Sequence, residues 1–216
     1  MSLGNGDERP EKNGSLAKSE ERAAKSGVSS FVLAGGRSSR MGTDKALLRV
    51  GDCSLLERAL QTASAVASSP YIVGAKERYA GFGETVEDIY PGCGPLGGIH
   101  AALTATATDL NLIVSVDMPL MTAEFLRWLV ARARATEDCI VVPNVAGGVQ
   151  PLCATYRRAV AGHAEEALRA GDYKVGRLFQ RVPTTIVNEQ EIVAAGFSPE
   201  IFRNINTPEE YAQCRS

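Results

Sequence analysis

From residue 29 onward, apolar positions alternate between short continuous runs and sets spaced as on one helix face. Ser29–Ala34 (SSFVLA) is a short apolar run leading into Gly35-Gly36, and it predicts a first strand. Ser54-Leu55-Leu56-Glu57 has the S-x-x-E form of a capping box, in which two side chains satisfy free amides at a helix start. Behind it Leu55, Leu56, Ala59, Leu60, Ala63 and Val66 recur at helical spacing. Tyr71–Gly74 predicts a second strand, Thr85–Glu87 a third, and Leu96–Ala107 a helix of small residues. Leu110–Val116 is a continuous apolar run bounded by Asp117-Met118-Pro119, the pattern of a strand buried on both faces. Thr122 then caps a helix whose inner face carries Phe125, Leu126, Leu129 and Val130, and Cys139–Val142 predicts another buried strand. The last third is less regular, with Gln150–Tyr156 a strand that reverses direction and Thr184–Val187 a further short one. Strands alternating with helices predict an α/β domain: a mainly parallel sheet with helices on both faces, in three layers.

Residues 1–28 break this pattern. They hold no aromatic residue, few large aliphatics, and charges that cancel, so they are expected to be a disordered N-terminal tail ahead of a single domain at 29–216. Over the 216 residues the net charge is −2, which excludes a strong nucleic-acid or membrane-surface partner, so phosphate binding must come from a local site. No apolar run approaches the ~20 residues of a membrane helix, and the N-terminus lacks the apolar centre of a secretory signal. The five cysteines, Cys53, Cys93, Cys139, Cys153 and Cys214, form no C-x-x-C pair. Their number and spacing fit reduced thiols in a cytoplasmic protein, with Cys139 and Cys153 in the core.

Ligand sites in such sheets form beyond the carboxyl ends of the strands. Four segments there carry chemistry. In Leu33–Lys45, Gly35 and Gly36 permit close backbone approach and expose amides, while Arg37, Arg40, Lys45 and the nearby Arg49 are opposed by Asp44 alone. A triphosphate needs such a cationic loop, although a Gly-rich turn with surface basics has the same composition. It is not a P-loop, because Gly36 is followed by Met41-Gly42-Thr43 where that motif needs Gly-Lys-Ser/Thr. It is not a G-x-G-x-x-G fingerprint either. In Glu87–Gly98 a Gly- and Pro-rich loop enters a helix, and Asp88 is either a hydrogen-bond acceptor for a base or ribose, or a turn carboxylate. Asp117, at the end of a buried strand, suits Mg²⁺, which takes one or two carboxylates plus substrate phosphates. The alternative is a helix cap, and strand burial favours the metal. In Arg203–Glu210, Thr207, Pro208 and Glu210 form a capping box, while Asn204 and Asn206 alternate on an extended stretch and place both amides on one side, fit for an acceptor substrate or for bracing the turn.

Taken in order, LAGG-x-S-x-RMG-x-DK at Leu33–Lys45, GPLGGI at Gly94–Ile99, VDMP at Val116–Pro119 and the C-terminal NINTPEEY resemble the molybdenum cofactor guanylyltransferases over roughly residues 29–214. The resemblance implies a Rossmann-like nucleotidyltransferase fold, with the nucleotide site mainly in 29–120 and the acceptor side mainly in 121–216. It implies transfer of GMP from GTP to molybdopterin cofactor, with Mg²⁺ and release of pyrophosphate. Leu33, Ala34 and Gly35 would then touch the nucleotide, Lys45 would hold phosphates, Asp88 would belong to the guanosine site, and Asp117 would bind nucleotide and metal. Arg40 and Lys45 would stabilise charge on the leaving pyrophosphate. Molybdoenzyme maturation proteins are the partners the resemblance suggests. Related molybdopterin cytidylyltransferases usually carry LAAG, so the LAGG form here favours guanine. Some members place an asparagine after the second strand, where this chain has Gly74. Other readings are a nucleotidyltransferase for a sugar phosphate, and a non-enzymatic carrier of a finished dinucleotide. Lys45 and Asp117 argue against the carrier.

Overall fold

The computed structural model describes residues 27–35, 44–204 and Glu210. Of the residues singled out above, Gly36, Arg37, Arg40, Asn206, Thr207, Pro208 and Cys214 lie outside that set, as does the tail at 1–26.

In chain order the strands are β1 (Val28–Leu33), β2 (Arg49–Val50), β3 (Cys53–Ser54), β4 (Tyr71–Val73), β5 (Thr85–Val86), β6 (Leu110–Ser115), β7 (Ile140–Val145), β8 (Gly148–Val149), β9 (Cys153–Arg157) and β10 (Thr184–Asn188). The helices are α1 (Leu55–Ala63), α2 (Lys76–Tyr79), α3 (Pro95–Ala105), α4 (Ala123–Arg134), α5 (Val160–Arg169) and α6 (Glu189–Ala194). The main sheet runs β10-β7-β9-β6-β1-β4-β5, with β8 hairpinned onto β7, while β2 and β3 form a separate antiparallel pair. β4 and β6 flank β1 in parallel register, with Leu33 opposite both Val73 and Ser115. β9 runs antiparallel to both β6 and β7, and β10 is parallel to β7. β1, β4, β5, β6, β7 and β10 therefore point the same way, and their carboxyl ends make one rim.

Helices cover both faces. α3 and α5 pack together over Phe31, Leu33, Ile113, Ile140 and Tyr156. α1 and α4 cover the opposite face, where Val32, Ile72, Leu112, Val114 and Val141 point. The expected capping box at Ser54 forms in full, since Glu57 N donates to Ser54 Oγ at 3.1 Å and Ser54 N to Glu57 Oε2 at 2.7 Å. Thr122 caps α4 through Phe125 N at 3.2 Å. No helix among the described residues is long and apolar enough to cross a membrane.

Several expectations shift. Val28, counted with the tail, is the fully buried first residue of β1. Cys153 is buried as expected, whereas Cys139 is half-buried, because the strand starts one residue later at Ile140. The last third is more regular than its pattern suggests. It holds α5 and, after β10, the short α6, which carries its own capping box between Asn188 and Glu191.

Candidate nucleotide site at the carboxyl rim

Three of the four chemical segments meet at the rim. The first strand ends at Ala34-Gly35, and both amides donate to the Val73 carbonyl, at 3.0 and 3.3 Å. The Gly35 amide is thus engaged by β4 rather than offered to a ligand, which corrects the expectation that both glycine amides are free. Among the described residues nothing demands a glycine at 35: a Cβ there would meet Gly74 Cα at 3.9 Å and Val73 O at 4.0 Å, which is ordinary contact.

Lys45 opens a short turn, Lys45–Leu47, whose N-cap is Asp44. Asp44 Oδ1 accepts from Ala46 N at 3.1 Å. This turn aims the Lys45 ammonium at the end of β6, where Nζ lies 3.6 Å from Asp117 Oδ2, with the two side chains 19 % and 23 % exposed. The other oxygen, Asp117 Oδ1, is buried and accepts no hydrogen bond among the described residues. An ionised carboxylate oxygen left without a donor is costly unless a cation or ligand completes it. The cap of α4 is Thr122, so Asp117 does not serve as that helix's cap.

Asp88 follows β5 and is partly buried. Its Oδ1 accepts from Tyr90 N at 2.8 Å, so the turn-carboxylate role is realised. The loop then enters α3 through Gly94, at φ 70°, and Pro95 at the first helical position. Two adjacent glycines of α3 bring the segments together. A Cβ on Gly97 would lie 2.7 and 2.8 Å from the Asp88 carboxylate oxygens, and one on Gly98 would lie 3.2 Å from Leu33 Cδ2. The first turn of α3 is therefore seated between Asp88 and the end of β1. Behind the loop, the Tyr90 hydroxyl lies 3.3 Å from Glu165 Oε1 and 3.4 Å from Arg169 Nε, which ties it to α5. His100, one turn further into α3, is buried edge-on against the Tyr90 ring at 5.2 Å. Burial lowers its pKa from the ordinary 6.5, against the opposing pull of Glu165 and Asp88.

The fourth segment approaches from the other face. Phe202 packs edge-on against Phe125, in the first turn of α4, with ring centroids 5.1 Å apart. Asn204 follows two residues beyond Phe202, with Oδ1 buried and unbonded among the described residues. None of the described hydrogen bonds joins Asn204 to Lys45, Asp88 or Asp117.

Three residues of this region were missed in the sequence patterns. Asp44 reads there as a lone counter-charge, yet it caps the lysine turn. Tyr79 reads as an ordinary aromatic, yet its hydroxyl reaches Asp44 Oδ2 at 2.8 Å and the Ala34 carbonyl at 3.3 Å. Asn144, at the carboxyl end of β7, has an Oδ1 that is buried and unbonded among the described residues. A polar residue ending the apolar run Ile140–Pro143 was the available sign. Gly74 is also explained: a Cβ there would fall 2.6 Å from Tyr79 Cε2, so the ring takes the room that a larger residue would need. Among the described residues no group of three or more His, Cys, Asp or Glu gathers as a metal cluster.

Known proteins share this fold and its sequence. Residues 30–186 match the MobA-like NTP transferase domain. A protein of Pelotomaculum thermopropionicum named "Probable molybdenum cofactor guanylyltransferase" is 35% identical over 187 residues, covering 85% of this chain and 90% of its own length. One of the same name from Carboxydothermus hydrogenoformans is 34% identical over 182 residues, covering 83% and 91%. The crystal structure of molybdopterin-guanine dinucleotide biosynthesis protein A from Archaeoglobus fulgidus has the same fold, with TM-score 0.75 and 24% identity over 87% of this chain and 96% of that one. The rim of glycine, lysine and carboxylate therefore sits on a nucleotidyltransferase, and the chain belongs to the molybdenum cofactor guanylyltransferase family of MobA-like NTP transferases.

Proposed function

We propose that the protein transfers GMP from GTP to molybdopterin cofactor, giving the guanine dinucleotide form and pyrophosphate. The observation that carries this reading is Lys45 facing Asp117 across the end of β6, with Asp117 Oδ1 buried and unbonded among the described residues. Each group is the other's partial partner until a phosphate and a cation supply better ones. The donor set fits Mg²⁺, held by Asp117 and substrate phosphate oxygens, and the ion when bound would supply neutralisation of phosphate charge.

Leu33, Ala34 and Gly35 line the approach of the nucleotide, and Asp88 keeps one carboxylate oxygen beyond its bond to Tyr90 N for the guanosine. Lys45, together with Arg40 five residues earlier in the sequence, takes up negative charge as the bond from the α-phosphorus to pyrophosphate breaks. The attacking atom is a terminal phosphate oxygen of the acceptor, which forms the new bond to the α-phosphorus. It is already ionised near neutral pH, so no general base is needed. Catalysis then consists of positioning two anions and neutralising their charge. Asn204 and Asn206 serve the acceptor side.

Pyrophosphate release measured with each of four triphosphates, with and without molybdopterin, tests the proposal. Release should need GTP, molybdopterin and Mg²⁺ together. Equal or faster release with CTP would overturn the guanine assignment, and release dependent on a sugar phosphate would overturn the acceptor.

A further inference from the structure

Gly74 and Tyr79 fit one another at the exit of β4. A Cβ on Gly74 would lie 2.6 Å from Tyr79 Cε2 and 2.9 Å from Cδ2, closer than real Cβ atoms come. The ring below is buried, in a cluster with Val32, Ala34, Ala46 and Ile72. It cannot swing away without opening that cluster, because packed interiors have no spare volume to receive it. The ring is thus pinned from above by the bare Gly74 backbone and from the sides by the strand ends.

What the pinned ring presents is its hydroxyl. The phenol oxygen is 2.8 Å from Asp44 Oδ2 and 3.3 Å from the Ala34 carbonyl oxygen. Burial first, and the Asp44 carboxylate second, push the phenol's ionisation well above its ordinary range, so it stays a donor. Its proton goes to the shorter contact, the carboxylate, and forms a charge-assisted bond. Asp44 in turn caps the turn that begins at Lys45. The guanidinium of Arg78 also approaches Asp44 Oδ2, at 3.5 Å, but it is 64% exposed, and a solvated pair of that kind holds little. Among the described residues the buried phenol is the side chain that fixes Asp44.

We propose that Tyr79 is a positioning residue for the triphosphate: its O–H anchors Asp44, and so fixes the turn that aims Lys45 at Asp117 and at the phosphates. Without the anchor, Asp44 keeps, among the described residues, only its bond from Ala46 N and the solvated Arg78 contact, and the turn beside it holds the Lys45 ammonium less firmly in one direction. A misaimed charge costs little in the ground state and more in the transition state, where charge moves onto pyrophosphate. The proposal rests on Lys45 serving the phosphates and does not depend on which base the nucleotide carries.

The test is Tyr79→Phe, which keeps the ring beneath Gly74 and removes only the hydroxyl. It is assayed with whichever triphosphate the wild type turns over fastest, so an error in the guanine assignment shows in the wild-type panel and leaves this comparison intact. The expected result is a fall in kcat of about tenfold, with the acceptor KM within about twofold and the melting temperature nearly unchanged. Gly74→Ala displaces the same ring, and in the Tyr79→Phe background it should lower kcat by no more than about twofold further, because both act through one hydroxyl. An unchanged kcat in Tyr79→Phe overturns the proposal. So does a loss in which acceptor KM and melting temperature move with kcat, which would mark a merely structural tyrosine. Losses in the two variants that simply multiply would show that Gly74 acts by another route.

Discussion

Replacing Gly97 by alanine separates the site from the fold that carries it. The new Cβ would fall 2.7 Å from Asp88 Oδ2, 2.8 Å from Asp88 Oδ1 and 2.9 Å from the Tyr90 carbonyl oxygen. An unstrained carbon–oxygen contact needs about 3.3 Å, so all three overlap by roughly half an ångström. The carboxylate can rotate, but the Tyr90 carbonyl is backbone, so the Asp88–Tyr90 turn must move as a unit. Overpacking of this kind costs about 1–3 kcal/mol, and replacing glycine by alanine within a helix returns roughly 0.5–1 kcal/mol. The net change in stability is then about 0–2.5 kcal/mol, too small to unfold the protein. Ligand binding suffers more. If Asp88 accepts a hydrogen bond from the guanosine, that charged interaction is worth about 1.5–3 kcal/mol, and its loss weakens GTP binding by about tenfold to hundredfold. A titration of GTP against Gly97→Ala, with a thermal melt of the same sample, measures both effects. In an Asp88→Ala background the Gly97 change should weaken GTP by no more than about twofold, since it has no carboxylate left to displace. A Gly97→Ala protein that binds GTP as the wild type does would refute the reasoning. So would one that weakens binding equally with and without Asp88, because the damage would then not pass through that carboxylate.

Asp117→Asn should lower turnover by at least roughly a hundredfold, an effect of about 3 kcal/mol or more at a charge-stabilising site, while melting close to the wild type because the Lys45 pair is partly solvated. Near-normal turnover in that variant would remove Asp117 from the chemistry. His100, which faces Tyr90, Glu165, Asp88 and Arg169, has its folded pKa lowered from 6.5, chiefly by burial. Between that lowered value and 6.5 the unfolded chain binds more protons than the fold, so stability is full above this window and falls as pH drops through it. Urea midpoints at several pH values should show this slope in the wild type and not in His100→Gln, and equal slopes would count against it. Phe202→Ala removes a buried ring packed on Phe125, and should cost about 3–5 kcal/mol, or roughly 6–20 °C of melting temperature. A negligible shift would show that Phe202 does not anchor the segment leading to Asn204.

Much of the architecture is local and was legible in the sequence. A strand buried on both faces must be continuously apolar, so Leu110–Ser115 declared itself, and Asp117 beyond it could be placed on the rim before any fold was known. The cap at Ser54 is set by residues three apart, so it reads directly from the chain. The last third was harder for the same physical reason. The strands β9 and β10 were legible there at Gln150–Tyr156 and Thr184–Val187, but α6 has six residues, too few for a hydrophobic period to stand out, although its Asn188-x-x-Glu191 box was present. Sequence also carried the chemical alphabet of the site, in the glycines, Lys45, Asp88 and Asp117. What it could not carry was which of these groups touch. Tyr79 and Asp44 are 35 residues apart, and nothing in the spacing of either marks the other. Gly74 reads as a turn glycine until the Tyr79 ring is seen against it, and Gly97 as a weak helix residue until Asp88 is seen in the space where a side chain would go. Whether Asp88 is a turn carboxylate, and whether Asp117 caps a helix or keeps a bare oxygen, depended on hydrogen bonds to Tyr90 and Thr122 that only the folded chain assigns. Periodicity and capping act between neighbours and survive in the linear order of residues. A site at the rim of a sheet is assembled by crossovers that bring distant strand ends together, so its geometry exists only once the sheet does.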